Sequence, residues 1–202
     1  MHRHARQAAG PQDRGLSTLL LVPGLRDRTD KHWQPLIGMK LMWSRPVRSV
    51  PPAGRENLDL AARVAAIQDA LESIQGEVTI VAHSAGVLML AHWAQQYRRA
   101  NIVGALLAAP ADLETPMPEG YPTLAALQRN GWLPVPRKRL PFPSIVAASS
   151  NDPLASLTRV EKLARDWGSE LVQLGDVGHL NPASGFGEWP MAEELVARLD
   201  RS

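Results

Sequence analysis

The sequence predicts an α/β fold: a doubly wound, mostly parallel six-stranded sheet with helices on both faces. The main observation is that short apolar segments alternate with helix-like segments along the chain, as in strand–helix–strand units joined by right-handed crossovers. The second observation is size and composition. The chain has 202 residues, of which 45% are hydrophobic and 21% charged, and these values fit one globular domain.

The elements of the first half have clear local signals. The first strand is an apolar run that ends at Pro23 and Gly24, as a buried strand of a parallel sheet does. The second helix has apolar residues at every third or fourth position. In order, we predict a strand over Leu16–Val22, a helix over His32–Lys40, a weak strand over Val47–Val50, a helix over Asn57–Ile74, a strand over Val78–Ala82 and a helix over Gly86–Arg98.

The second half contains an unusually long connection. The segment Ala111–Pro143 holds seven prolines in 33 residues, and a loop of this length usually serves as a lid or a pocket wall. Pro110 ends the strand before it, and Pro153 suits the first turn of a helix. The predicted elements are strands over Ile102–Ala109, Ser144–Ser149 and Glu170–Leu174, and helices over Pro153–Trp167 and Met191–Leu199.

Composition and charge exclude several classes of function. Without cysteine the chain has no disulfide, no cysteine-ligated metal and no thiol nucleophile, and its apolar runs are too short to span a bilayer. The net charge of +2 comes from residues 1–15, because the other 187 residues carry 19 basic and 19 acidic side chains. We therefore expect no nucleic-acid partner and no membrane association.

Residues 1–15 differ in character from the rest of the chain. They lack the apolar core of a secretory signal and show no apolar periodicity. We therefore predict a disordered leader over 1–15, a single domain over 16–202 and a cytoplasmic location.

A candidate nucleophile lies where the third predicted strand runs into the third helix. Ser84 stands between His83 and Ala85, and the small residues Ala82 and Gly86 flank it, as a sharp strand–serine–helix turn requires. Such a turn exposes the hydroxyl at the sheet edge and points helix N-terminal N–H groups towards a developing oxyanion. The usual pattern has glycine where Ala82 stands, and the alternative role of Ser84 is that of a helix N-cap.

A serine nucleophile needs a histidine base at the same edge of the sheet. Parallel strands bring their carboxyl ends together there, and His179 follows the last predicted strand. His179 is therefore the predicted base. The remaining histidines lie in the leader, in the first connection, beside the serine and in the third helix: His2, His4, His32, His83 and His92.

Three aspartates could orient this base. Asp152 follows the fifth strand directly before a helix, and Asp112 follows the fourth strand. Asp176 lies three residues before His179, where a turn role fits better. We favour Asp152. The order Ser84, Asp152, His179 is then that of α/β-hydrolases and differs from the two main serine-protease orders.

An oxyanion hole needs two N–H donors near the serine. We predict the backbone N–H of Ala85 as the first, and that of Leu25 as the second because Gly24 lets this loop approach closely. The further candidates for lining the substrate pocket are Gly24, His32, Trp33, His83, Asn181 and Trp189.

Six short segments carry a resemblance to a known family. They are VPG at 22–24, HWQ at 32–34, AHSAG at 82–86, SSNDP at 149–153, GHLN at 178–181 and SGFGEWP at 184–190. With them the chain resembles the compact α/β-hydrolases that include retinoblastoma-binding protein 9 and its bacterial relatives. The resemblance implies a minimal α/β-hydrolase fold with little or no lid, a catalytic triad of Ser84, Asp152 and His179, and no cofactor or metal.

Two functional hypotheses follow. In the first, the protein is a serine hydrolase, a carboxylesterase that cleaves small acyl esters through an acyl-enzyme. In the second, it is a protein-binding module that keeps the hydrolase scaffold with weak or vestigial activity. The intact set of Ser84, Asp152 and His179 favours the first, although the fold alone would not.

Overall fold

A six-stranded sheet forms the centre of the protein, whose computed structural model describes residues 16–26 and 29–201. All neighbouring strands are parallel, in the order β2-β1-β3-β4-β5-β6. The predicted fold class is thus confirmed, whereas the predicted leader lies outside the described residues. The strands are β1 Thr18–Val22, β2 Val47–Ser49, β3 Val78–His83, β4 Ile102–Ala108, β5 Ser144–Ala148 and β6 Glu170–Gln173.

Helices cover both faces of this sheet. They are α1 Trp33–Leu41, α2 Leu60–Glu72, α3 Ala85–Gln96, α4 Leu124–Arg129, α5 Leu157–Trp167 and α6 Pro190–Leu199. Because side chains alternate along a strand, Leu20 and Val22 of β1 pack on the face covered by α2, α3 and α5. Leu19 and Leu21 pack on the opposite face, against α1 and α6. Both faces are apolar, which explains why the strands are continuous apolar runs.

The predicted helices begin or end up to four residues from the expected bounds, and the largest shift is at the start of α5. Helix α5 begins at Leu157 rather than at Pro153, because the Ser156 hydroxyl accepts the Arg159 N–H and caps the helix there. The residues before it form a turn in which the Asp152 carboxylate accepts the Leu154 N–H at 2.8 Å. The short helix α4 was not predicted. It lies within the proline-rich connection, and Thr123 caps it.

The proline-rich connection packs on the body of the protein. Leu113, Leu127 and Trp132 are fully buried in the core on the α2–α3 face. The Trp132 indole N–H donates to the Leu58 carbonyl at 2.8 Å. These anchors make the segment a fixed wall at the carboxyl edge of the sheet.

The order of the strands places a crevice at that edge. The chain moves outwards from β1 to β2 and then crosses back to β3 on the other side of β1. The loops after β1 and β3 therefore diverge to opposite faces, and ligands of doubly wound sheets bind at such a point. None of the helices in the described part of the chain is long and apolar enough to cross a membrane.

Candidate active site

Ser84 occupies a strained turn at the junction of β3 and α3. Its backbone has φ 56° and ψ −127°, a conformation that residues with a side chain rarely adopt and that costs about 1–3 kcal/mol. The Ser84 N–H donates to the Ala108 carbonyl of β4 at 3.0 Å, which fixes the turn. Strain that the surrounding structure holds in place is typical of functional sites.

Two glycines make room for this turn. A Cβ on Gly86 would lie 2.5 Å from the carbonyl oxygen of Pro23, so α3 can approach the loop after β1 only with glycine at this position. A Cβ on Gly24 would lie 3.2 Å from the Ser84 Cβ. The loop predicted to supply an oxyanion donor therefore passes directly beside the serine.

Ser84, His179 and Asp152 form one chain of hydrogen bonds. The Ser84 hydroxyl lies 2.8 Å from His179 Nε2, and His179 Nδ1 lies 2.7 Å from Asp152 Oδ2. Because the carboxylate accepts, Nδ1 carries the proton and Nε2 accepts from the hydroxyl. The side chains of His179 and Asp152 are only 4% and 2% exposed, so water hardly competes for these bonds.

The alternative aspartates bind elsewhere. Asp112 accepts from both Arg159 Nε, at 2.9 Å, and Arg159 Nη2, at 3.0 Å. Burial alone would raise the pKa of Asp112, but the hydrogen bonds from Arg159, the Glu114 N–H and the Thr115 hydroxyl lower it. Asp176 accepts from the Ser150 hydroxyl at 2.6 Å. Each of these carboxylates is thus engaged by groups other than His179.

His83 and His32 extend the row of imidazole rings behind the serine. The ring centroid of His83 lies 5.0 Å from that of His179 and 4.7 Å from that of His32. Burial, with a smaller contribution from the two neighbouring imidazoles, holds the pKa of His83 well below its ordinary value. A neutral His83 donates its Nε2–H to the His179 carbonyl at 2.9 Å, which supports the backbone of the base.

The sequence analysis assigned no role to Ser184 and Asn151, which hold the His179 loop together with the predicted pocket residue Asn181. The Ser184 hydroxyl accepts the His179 N–H at 3.0 Å and donates to Asn181 Oδ1 at 2.9 Å. Asn151 Oδ1 accepts the Gly178 N–H at 2.7 Å, which joins the loops after β5 and β6. These residues belong to the SSNDP, GHLN and SGFGEWP segments, but the sequence spacing does not indicate that the three segments meet.

Gln34 is a further residue that the sequence analysis did not single out. Its side chain is completely buried, and Nε2 donates to the carbonyls of Val22 and Val81, both at 3.1 Å. Val22 ends β1, and Val81 lies three residues before Ser84 on β3. Gln34 thus bridges the ends of the two strands whose loops meet at the serine.

A cavity of about 220 Å³ opens beside Ser84. Among the residues predicted to form the site, Gly24, Leu25, His32, His83, Ser84, Ala85, His179 and Asn181 line it. Another wall is apolar and comes from the proline-rich connection, through Ala111, Leu113, Met117 and Tyr121. This connection thus forms a wall of the cavity.

The structure places Trp33 and Trp189 outside the lining of this cavity, in contrast to the sequence prediction. Their rings meet edge to face with centroids 4.8 Å apart, and Trp33 also contacts the His83 ring edge to face. They belong to the core on the α1–α6 face. Their large apolar rings gain more from burial there than from a partly open pocket, so they support His83 from behind.

The site contains oxygen and imidazole groups but no arrangement suited to a metal. Within residues 16–26 and 29–201, no cluster of three or more His, Asp or Glu side chains could hold a metal ion. The arrangement of hydroxyl, imidazole and carboxylate is suited to acyl transfer by a serine nucleophile.

Comparison with known proteins identifies the class. The family model described as serine hydrolase matches residues 19–198, and the chain therefore belongs to the serine hydrolase family. Its fold is a minimal α/β-hydrolase fold. A search of curated proteins found no match.

Solved structures agree with this assignment. A hydrolase from Pectobacterium atrosepticum described as YdeN-like is 32% identical, with a TM-score of 0.76 over 92% of this chain and 91% of that one. The ydeN gene product of B. subtilis is 15% identical, with a TM-score of 0.73 over 92% and 100%. The mouse alpha/beta hydrolase domain-containing protein 10 is 12% identical, with a TM-score of 0.66 over 91% and 88%. The narrower resemblance to retinoblastoma-binding protein 9 stays a prediction.

Proposed function

We propose that this serine hydrolase is a carboxylesterase that cleaves small acyl esters through an acyl-enzyme on Ser84. The observation that carries the proposal is the hydrogen-bonded chain from Ser84 through His179 to Asp152, which begins at the wall of a cavity. The hydroxyl, the imidazole and the carboxylate stand in the order in which nucleophile, base and orienting acid act.

The reaction follows from these contacts. As the Ser84 oxygen attacks the ester carbonyl, His179 Nε2 takes the hydroxyl proton, and Asp152 stabilises the imidazolium that forms. His179 then returns this proton to the alkoxide leaving group as the carbon–oxygen bond of the ester breaks. His179 then takes a proton from water, which attacks the acyl-enzyme; as the bond between the acyl group and the Ser84 oxygen breaks, His179 returns the proton to this oxygen and the acid leaves.

Two backbone N–H groups would stabilise the tetrahedral oxyanion. Ala85 is the first residue of α3, where an N–H has no partner within the helix. Leu25 follows Gly24, which lies against Ser84. Both residues line the cavity next to the serine, and we assign one donor to each.

The size of the cavity supports a small substrate. The cavity beside Ser84 has a volume of about 220 Å³. It lies below the about 300–1,000 Å³ of sites for drug-sized ligands. We therefore propose short acyl esters rather than long-chain lipids.

The alternative of a binding module without activity has less support. A scaffold that only binds has no need for the strained Ser84 backbone or for a base within 2.8 Å of its hydroxyl. A protein partner stays a possibility that the sequence raised. The predicted cytoplasmic location and the absence of a nucleic-acid partner likewise stay predictions.

Labelling with a fluorophosphonate tests the proposal. We expect the probe to modify Ser84 alone, as mapped by mass spectrometry, and Ser84→Ala to lose both labelling and hydrolysis of p-nitrophenyl butyrate. Ser150→Ala is the matched control, because this exposed hydroxyl bonds Asp176 instead of His179. Folded protein that neither reacts with the probe nor hydrolyses the ester would refute the esterase proposal.

A further inference from the structure

The cavity beside Ser84 carries one permanent charge. Of the described residues that line it, Arg26 is the only lysine, arginine, aspartate or glutamate. Resting on the proposed esterase function, we infer that the preferred substrate bears a carboxylate a few bonds from the ester and that Arg26 binds it.

Arg26 is held at the mouth of the cavity by the opposite wall. Its guanidinium carbon lies 4.1 Å from the centroid of the Tyr121 ring, and Nη2 donates to the Gly120 carbonyl at 3.4 Å. The side chain thus spans from the loop after β1 to the connection after β4. An aromatic face attracts a guanidinium that lies over it, and a guanidinium has five N–H donors, more than the contact with Gly120 uses.

No acidic side chain of the described residues neutralises this guanidinium. Arg137 and Arg159, by contrast, pair with Glu114, and Arg159 also pairs with Asp112. Those charges are therefore compensated within the protein, whereas the edge of Arg26 is suited to a carboxylate from outside. Arginine binds carboxylates with two parallel hydrogen bonds, which gives both affinity and orientation.

Arg26 belongs to the same cavity as the proposed nucleophile. Gly24, two residues before Arg26, lies against Ser84, and Tyr121 beneath the guanidinium lines the same cavity as the serine. Arg26 and Ser84 line the same cavity of about 220 Å³, so a single small substrate can contact both residues. The apolar side chains of Leu113 and Met117 line another part of the cavity and suit the uncharged part of the substrate.

Two pairs of substrates test the inference. One pair has the charge on the acyl side: mono-p-nitrophenyl adipate and its neutral methyl ester. The other has it on the leaving group: 4-acetoxybenzoate and its methyl ester. The measured quantity is the ratio of kcat/KM for the acid to that for the methyl ester, in the wild-type protein and in Arg26→Gln, Arg26→Lys and Arg48→Gln.

We expect Arg26→Gln to lower this ratio about tenfold for at least one pair, as for the loss of a charge-assisted hydrogen bond from this exposed residue. Arg26→Lys should restore part of the ratio, because it keeps the charge and loses the planar fork. Arg48→Gln makes the same change in net charge at an exposed residue that does not line the cavity, and should leave the ratio unchanged.

The outcomes separate this inference from the esterase proposal. If the wild-type protein hydrolyses the esters in a Ser84-dependent manner but Arg26→Gln leaves both ratios unchanged, the carboxylate inference is wrong and the esterase proposal stands. An equal drop in Arg48→Gln would also overturn the inference, since it would reflect net charge. Without any Ser84-dependent hydrolysis, the esterase proposal fails and this inference fails with it.

Discussion

The substitution Asp152→Asn tests the proposed triad most sharply, because the structure fixes which way the new amide turns. Asp152 Oδ1 accepts the Leu154 N–H at 2.8 Å, and Oδ2 faces His179 Nδ1 at 2.7 Å. Asparagine has one acceptor oxygen, and the Leu154 N–H retains it. The NH₂ group then faces Nδ1 and requires a lone pair there, so the proton moves to Nε2.

In this tautomer His179 cannot accept the proton of Ser84. The imidazolium also loses its counter-charge. From these two effects we expect kcat to fall by about 10⁴, equivalent to about 5.5 kcal/mol in the activation barrier. Stability should change little, because the amide has the shape of the carboxylate and keeps the Leu154 hydrogen bond.

The assay is kcat for p-nitrophenyl butyrate, measured together with the thermal midpoint of each variant. Asp112→Asn is the matched control. It weakens the ion pair with Arg159 and should lower the thermal midpoint, with only a small loss of kcat. A mild Asp152→Asn combined with a severe loss of kcat in Asp112→Asn would refute the assignment of the acid.

Three further results are expected. Gln34→Leu should lower the free energy of unfolding by about 2 kcal/mol in urea titrations, since the buried Val22 and Val81 carbonyls lose their donor; an unchanged value would contradict the bridge. Gly86→Ala should lower both the thermal midpoint and kcat, because its Cβ would lie 2.5 Å from the Pro23 carbonyl oxygen. Wild-type values of both quantities would show that the loop after β1 moves to accommodate the methyl group at little cost. Burial alone would raise the pKa of Asp200, but hydrogen bonds from Arg45, Thr79 and Ser17 and the charge of Arg45 lower it below 3.8. The ionised carboxylate of Asp200 therefore stabilises the fold above about pH 4, and this stabilisation is lost as the pH falls through the lowered pKa. The thermal midpoint of Asp200→Asn should decline less than that of the wild-type protein over this pH range. An equal decline in both proteins would contradict this role of Asp200.

Patterns of neighbouring residues in the sequence predicted the strands, most of the helices and the fold class. Buried strands appear in the sequence as continuous apolar runs, and the amphipathic helix α2 appears as apolar residues at every third or fourth position. Both patterns involve residues close together in the sequence, so they are visible without a structure. The AHSAG segment likewise carries its own signal, because a sharp turn between strand and helix requires small residues next to Ser84. Even so, boundaries such as the start of α5 depended on a cap at Ser156 that composition alone did not reveal.

The tertiary structure decided which distant residues meet. Asp112, Asp152 and Asp176 all follow strands, and only the geometry shows that Asp152 lies against His179 while Arg159 engages Asp112. The same holds for Gln34, whose amide donates to the carbonyls of Val22 and Val81, two residues that lie 59 positions apart in the sequence.

The sequence by itself thus predicted the class of fold and a candidate nucleophile, and the structure showed which residues meet at Ser84 and which line the cavity. Trp33 and Trp189 were expected to line the pocket, yet their rings pack against each other in the core. The sequence analysis assigned no role to Arg26, and only the structure places its guanidinium over Tyr121 at the cavity. The physical reason is that burial and turn strain act over a few neighbouring residues, whereas hydrogen bonds and ring contacts between loops depend on how the whole chain folds.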